Sequence, residues 1–444
     1  MINAIRNIYL TNEFFYILAA NIILFLLGFF YLAFYWLSIF ILVLIIICVA
    51  IDIYLLFRNK SSIRVIRILP ERFSNGDENP VSIYIHNAYP FKVVLGVVDE
   101  IPEIFQIRDF YKVTILEPNS DSQFVYYLKP KERGIYFFGA VNVFVKTPLR
   151  LAMRRWVFPV SKEVAVYPSF LQMKRYELMA VSNQLYQYGN HKLKKIGQSL
   201  EFEQIKNYVV GDDVRNINWK ASARRNEVML NHYRDERSQS VYCLIDKGRV
   251  MKMPFNQMTL LDYSINASLA LLNIALKKGD KAGLISFSKD LDVFIKSDKS
   301  QFHLKKILES LYAQKSDFQE SDYEKLVYTC RHDISQRSML ILFTNFESLT
   351  SLERQSSYFK LLSKKHLLLV VFFLNTELSV ITDVEVKNAE QAYVKTIAQK
   401  FDFEKRLIVQ KLNQSGVMTL LTKPENLSTD LIAKYLEIKG KGLM

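Results

Sequence analysis

No aspartate, glutamate, lysine, arginine or histidine occurs between Phe14 and Ile51. Apolar character continues to Phe57, broken only by Asp52. A bilayer core takes roughly 20 apolar residues per helical crossing, so the stretch is long enough for two crossings with almost no loop between them. The turn is expected near Tyr35, Trp36 and Ser38, where aromatic side chains suit the water–lipid interface. A buried core helix would be shorter and less uniform. A secretory signal has an apolar region of only about 7–15 residues and a small-residue cleavage site, and no such site follows this run. Arg6 precedes the stretch, and Arg58, Lys60, Arg64 and Arg67 follow it. Positive residues stay on the cytoplasmic side. Residues 1–60 are therefore expected to form a two-helix transmembrane hairpin in the inner (cytoplasmic) membrane, two-pass, with the soluble domains in the cytoplasm.

Cysteine is scarce as well. Cys48 lies in the apolar stretch, Cys243 sits in an apolar run that reads as a strand, and Cys330 stands alone. That excludes a disulfide framework and a zinc-ligand spacing, and it agrees with a reducing compartment. The catalytic motifs searched for are missing: no Gly-x-Ser-x-Gly elbow, no His-Glu-x-x-His, no phosphate loop ending in Gly-Lys-Ser or Gly-Lys-Thr. The six histidines are scattered without pairing. Acidic residues are outnumbered, giving a formal net charge of +14. The basic runs are short and lack aromatic interleaving, so no nucleic-acid partner is expected. The excess suits a protein held beside an anionic leaflet, with membrane lipid as a partner.

Beyond residue 60 the chain divides into three parts. Residues 61–168 alternate as half-buried strands do: Val81, Ile83 and Ile85; Phe124, Tyr126 and Leu128; Val141, Val143 and Val145. Turn signals separate the runs and no helical period intervenes, so an antiparallel β-sandwich is expected. Residues 169–238 are polar and poor in clean periodicity, and read as a linking segment. Within them Gly211 suits a tight turn, Asp212 or Asp213 can cap a helical turn, and Arg215 and Trp219, four apart, would share a helix face. A capped helix packed on its neighbour by one Trp is the plainest reading of that spacing. From residue 239 to 444 near-continuous apolar strands alternate with helices: Val241–Ile245, Ala282–Phe287, a short paired strand at Leu291–Ile295, Ser338–Thr344, His366–Leu374 and Val417–Leu421. This pattern means a doubly wound α/β domain, a largely parallel sheet covered on both faces. Ligands of such sheets sit at the carboxyl ends of strands, which points to Asp246, Thr344 and Asn345.

The stretch from Gly197 to Met251 resembles the bacterial domain-of-unknown-function 58 family. The resemblance rests on Gly197, Ser199, Glu201-Phe202, Tyr208, Gly211-Asp212-Asp213, Arg215, Ile217-Asn218-Trp219, Ser222-Ala223-Arg224, Glu236-Arg237 and Asp246-Lys247-Gly248-Arg249. It implies a carboxyl-terminal domain similar to the von Willebrand factor type A domain. It also implies a partner, a MoxR-type AAA ATPase, and a role in assembling or activating other complexes. Type A domains often hold a divalent cation through Asp-x-Ser-x-Ser with a further Thr and Asp. Here Asp246 is kept, but Gly248 and Val250 replace the serines and Thr344-Asn345 replaces Thr-Asp. Lys247 and Arg249 add positive charge beside Asp246, which opposes a cation. A magnesium ion at Asp246 is the one cofactor this pattern leaves open; Asp246 pairing with a neighbouring Lys or Arg, or capping a backbone turn, is the alternative.

The expected function is thus a membrane-anchored protein-interaction module and not an enzyme. Gly211, Asp212, Asp213, Arg215, Trp219, Ser222 and Arg224 form an interaction or structural motif in that reading. A hydrolase with dispersed catalytic groups and a cation-dependent adhesion protein are the alternatives.

Overall fold

The chain makes a strand before it makes a helix. β1 (Ile8–Leu10) leads at once into α1 (Asn12–Leu27) and then α2 (Leu32–Phe57). The structure, a computed structural model, describes residues 7–58, 62–181, 201–209, 214–234, 238–256, 258–316, 318–346, 348–375 and 388–444. They fall into two units, Met1–Tyr167 and Pro168–Met444.

The helical hairpin turns at Gly28–Tyr31, earlier than expected. Gly28 permits the close approach: a Cβ there would lie 2.8 Å from the Tyr35 amide nitrogen. Tyr35, Trp36 and Ser38 lie inside α2 instead. Ser38 is needed there because its hydroxyl donates to Asn21 Oδ1 at 3.1 Å, a polar tie buried between two apolar helices. α2 has 26 residues and is long and apolar enough to cross a membrane. α1 has 16, which makes it ~24 Å long against a hydrocarbon core of ~30 Å. Phe40, Ile23 and Leu26 are more than 60% exposed. Most of the hairpin is therefore exposed; only the last turn of α2, through Leu56, enters the sandwich core.

The strands of the first unit bury alternate residues. β2 (Ile63–Ile68), β4 (Asn79–Asn87) and β7 (Asp121–Leu128) form one antiparallel sheet, in the order β2-β4-β7. β5 (Val93–Asp99), β6 (Lys112–Leu116), β9 (Val141–Lys146) and β10 (Ala152–Phe158) form another, with β1 at its edge: β1-β10-β9-β5-β6. Ile83 and Ile85 from the first meet Val93, Leu95, Val97, Val141, Val143 and Val145 from the second, all fully or almost fully buried. This is the expected sandwich with two differences. A third small sheet joins β3 (Arg72–Ser74), β8 (Gly134–Phe138) and β11 (Lys162–Tyr167), and its β3–β11 pairing is parallel. The hairpin is also not a separate leading segment. β1 pairs with β10 (Tyr9 opposite Met153), so the two helices interrupt the sandwich between its first and second strands.

In the second unit the strands run β14 (Ser240–Asp246), then the small ribbon β15 (Pro254–Phe255) and β16 (Met258–Thr259), then β17 (Lys281–Phe287), β18 (Leu291–Asp298), β19 (Met339–Phe343), β20 (Leu367–Phe373) and β21 (Met418–Thr422). The main sheet has the order β18-β17-β14-β19-β20-β21, parallel except for the edge strand β18. Counted from β14 this is the doubly wound order, reversing direction at the first strand. Val241, Cys243 and Ile245 face the helices Leu260–Lys277 and Leu427–Gly440, while Tyr242 and Leu244 face Tyr323–Asp333 and Leu349–Lys365. Both faces are covered, which explains strands with no polar alternation.

The segment 169–238 carries more structure than its composition implied. The helix Phe170–Val181 packs on Leu260–Lys277, tied by Ser169 N–H donating to Asn266 Oδ1 at 2.8 Å and by Asn273 donating to Glu177 at 2.9 Å. β12 (Glu201–Asn207) pairs antiparallel with β13 (Met229–Arg234). These elements are short and mix polar with apolar positions, so no single period dominates their sequence.

Candidate functional site

Two places hold the residues singled out by sequence. The first is the short helix Trp219–Arg225 beside β13. Gly211, Asp212 and Asp213 lie outside the described residues, as does the side chain of Arg215. Arg215 sits in a separate 3-10 turn, Val214–Asn216, and the shared face expected for Arg215 and Trp219 does not form. The reason is local. Ile217 bridges to Leu230, and Asn218 breaks the chain direction as the cap of the next helix. The Asn218 side chain accepts from Ala221 N–H at 3.0 Å and donates to Asn231 at 2.8 Å. Ser222 donates to the Asn218 carbonyl and accepts from Met229 N–H, both at 2.8 Å. Asn218 and Ser222 thus pin the helix to β13. Trp219 is not the packing residue expected: it is 72% exposed. Arg224 is exposed as well.

The second place is the carboxyl edge of β14 and β19. Asp246 ends β14 and is fully buried. Its carboxyl group accepts from Gly248 N–H at 2.8 Å, Tyr323 OH at 2.9 Å, Thr344 Oγ1 at 2.7 Å and Ser321 Oγ. Burial pushes its pKa above the usual carboxylate range, and the four hydrogen bonds pull it back. Burial and the nearby carboxyl group likewise raise the Tyr323 hydroxyl. Ser321 and Tyr323 come from a loop some 75 residues away in sequence, and no motif flags them. Only Asp322, which caps the helix Tyr323–Asp333, was a readable local signal.

Lys247, expected to place its charge beside Asp246, pairs with Asp292 instead. Asn345, at the end of the neighbouring strand, is bonded by Lys405. Asp246 thus takes neutral donors, not a Lys or Arg partner.

These residues do not fit a hard divalent cation, which wants six or more oxygen ligands. Asp246 supplies the one carboxyl group, and both its oxygens are already engaged. A Cβ on Gly248, needed for a serine ligand, would lie 2.2 Å from Ser321 Oγ. Among the described residues no group of three or more His, Cys, Asp or Glu side chains is placed to hold a metal. Outside this buried knot lies an open cleft of about 650 Å³, bordered by Lys289, Glu320, Asp322, Glu324, Arg354 and Tyr358. Ser321 and Tyr323 line it too, and so stand between the cleft and Asp246. The arrangement can hold a loop in place and offer a mixed-charge rim to a partner.

A sandwich interrupted by an apolar helical hairpin, with a doubly wound α/β unit after it, defines the class of protein. Residues 204–413 match the family described as "Protein of unknown function DUF58". The chain is 28% identical over 186 residues to the "Uncharacterized protein YeaD" of Bacillus subtilis, covering 42% of this chain and 44% of that protein. The chain thus spans less than half the length of that curated relative. Among solved structures, "conserved hypothetical protein BatB" of Bacteroides thetaiotaomicron is 12% identical, covers 46% of this chain and 100% of that one, and has a TM-score of 0.31. A PapD-like domain of human CEP192 is 12% identical, covers 24% and 84%, and has a TM-score of 0.18. The fold assignment rests on strand order and not on either likeness.

Proposed function

We propose that this protein is a two-pass membrane-anchored interaction platform, with both units on the cytoplasmic side, and that it is not itself an enzyme. The observation that carries the reading is the insertion of the hairpin between two strands of one sandwich. A chain that leaves a domain and returns to the same domain must start and finish on one side of the bilayer. With α2 crossing, α1 completes the return, its short length helped by the aromatic turn Phe29-Phe30-Tyr31. The exposed Trp219 with Lys220, Arg224 and Arg225 offers a protein partner an aromatic anchor and positive charge, the residue types that dominate interface energetics. The family resemblance points to a MoxR-type AAA ATPase as that partner, in the service of assembling or activating other complexes.

Two measurements test this. Single cysteines at Phe29 and at Lys306, probed in intact cells with a membrane-impermeant thiol reagent, should label only at Phe29; labelling at Lys306 instead would reverse the orientation. Detergent-solubilised full-length protein should retain an AAA ATPase on affinity capture, and Trp219→Ala should reduce its yield. Capture that never enriches such a partner above a mock sample counts against the platform reading.

A further inference from the structure

The base of the hairpin carries a turn that neither the anchor nor the sandwich requires in its present form. Thr11, the residue before α1, donates its N–H to Leu151 O at 3.2 Å and its hydroxyl to Arg150 O. Asp52, near the other end of the hairpin, accepts from Leu151 N–H at 3.0 Å, Ala152 N–H at 2.7 Å and the Thr147 hydroxyl. Both helices therefore grip the same turn, Thr147–Leu151, at the level where the apolar stretch begins and ends. The outer side of that turn is exposed: Pro148, Leu149 and Arg150. Leu149 is 47% exposed. Arg150 has φ 57°, the left-handed region. That conformation costs an ordinary side chain roughly 1 kcal/mol and suits glycine or asparagine better. An arginine kept where glycine would be less strained calls for a use of its side chain. Lys146 lies 3.7 Å from Glu13. Of the two carboxylates at this turn, Asp52 is buried and taken up by its three bonds, which leaves Glu13 facing the two cations.

We propose that this turn is a third membrane contact and a binding site for the phosphate of anionic phospholipid headgroups. Leu149 enters the interfacial layer beside the hairpin, and Arg150 and Lys146 bind the phosphates. Such contacts add only modestly to binding for each basic residue near an anionic surface. Their small size suffices here because the hairpin already holds the turn at the bilayer. The site sets the tilt and depth of the sandwich on the membrane. The inference rests on the membrane reading of the hairpin.

The test uses full-length protein, with Cys48→Ser, reconstituted in vesicles of phosphatidylcholine alone or mixed with phosphatidylglycerol. An environment-sensitive fluorophore is placed at Leu149→Cys, at Leu42→Cys in α2, and at Lys306→Cys on the helix Gln301–Ala313 of the second unit. Headgroup- and chain-spin-labelled lipids serve as quenchers. The expected result is strong quenching at 42, none at 306, and quenching at 149 that at least doubles with phosphatidylglycerol. Arg150→Gly should remove that increase while leaving the melting temperature equal or higher, since glycine relieves the left-handed backbone. Lys146→Gln should halve the increase. Quenching at 42 with none at 149 overturns this inference and leaves the anchor standing. Absence of quenching at 42 overturns both. An unchanged lipid dependence in Arg150→Gly and Lys146→Gln overturns the phosphate site.

Discussion

Two buried aspartates invite comparison, Asp52 in α2 and Asp246 at the end of β14. Both have no exposure, and both accept at least three hydrogen bonds. Asp52 takes two of its bonds from backbone amides, those of Leu151 and Ala152, and thereby joins the helical hairpin to the sandwich. Asp246 takes three of its bonds from hydroxyls on two different elements, and thereby gathers loops at the carboxyl edge of the sheet. The same side chain is a joint between helix and sheet in one unit and a knot at the carboxyl edge of the sheet in the other. In sequence the first looks like a flaw in an apolar run and the second like a relic of a metal site. The first in fact joins helix to sheet; the second caps the turn at Gly248, one of the alternatives its sequence offers, and gathers three hydroxyls besides.

Removing each group should separate the two roles, and the larger effect belongs to Asp52. Asp52→Ala leaves two buried amides and a hydroxyl unpaired, each worth about 1–3 kcal/mol. A loss of about 3–5 kcal/mol is expected in the melting of the first unit in detergent, with little change in the second. Asp246→Ala leaves hydroxyls that can re-pair with each other, as Tyr323 and Thr344 already sit 2.7 Å apart. A loss of about 2–3 kcal/mol is expected there, with Asp246→Asn losing less. Millimolar magnesium should shift the melting temperature of neither the parent nor the variants. A magnesium-dependent rise in the parent alone would restore a metal role to Asp246.

The pH response should distinguish the units as well. His366, at the start of β20, is 2% exposed, and burial lowers its pKa to about 4, with Lys365 adding to the effect. Unfolded, it protonates near its ordinary 6.5. The folded state therefore binds its proton later, and stability is present above pH ~6.5 and lost as pH falls towards 4. Melting of the second unit should weaken by about 1–3 kcal/mol over that window. His366→Phe should flatten the slope, and an unchanged slope would assign the acid sensitivity elsewhere. The smallest effect on stability is expected from Trp219→Ala: within about 0.5 kcal/mol, because its side chain is exposed. A large destabilisation there would make the Trp a packing residue and remove it from any interface.

Much of the fold was readable from residue pattern. The alternation of Val81, Ile83 and Ile85 and the unbroken run Leu367–Phe373 each name a strand and how many of its faces are covered, because side-chain period follows backbone geometry. Burial of a helix end against a distant turn obeys no local period. Hence the misplaced hairpin turn, the unexpected pairing of Ile8–Leu10 and the separation of Arg215 from Trp219 all lie where one segment meets another. Thr344, named from its place at a strand end, meets Asp246 because β14 and β19 are neighbours in the sheet. Ser321 and Tyr323 escaped for the same reason as the others, since their segment is held there by Asp322 N–H donating to Ser288 O and Arg249 N–H donating to Gln319 O.

The sequence by itself determined that an apolar hairpin is followed by alternating strands and these by a doubly wound domain. Those are consequences of hydrophobic period and length, and each is a property of a contiguous segment. Only the tertiary structure decided that the hairpin is an insertion within the sandwich, that Asp246 is consumed by neutral donors, and that Trp219 stands outside any core. Each of these depends on which distant groups compete for one side chain, and that competition is settled by packing.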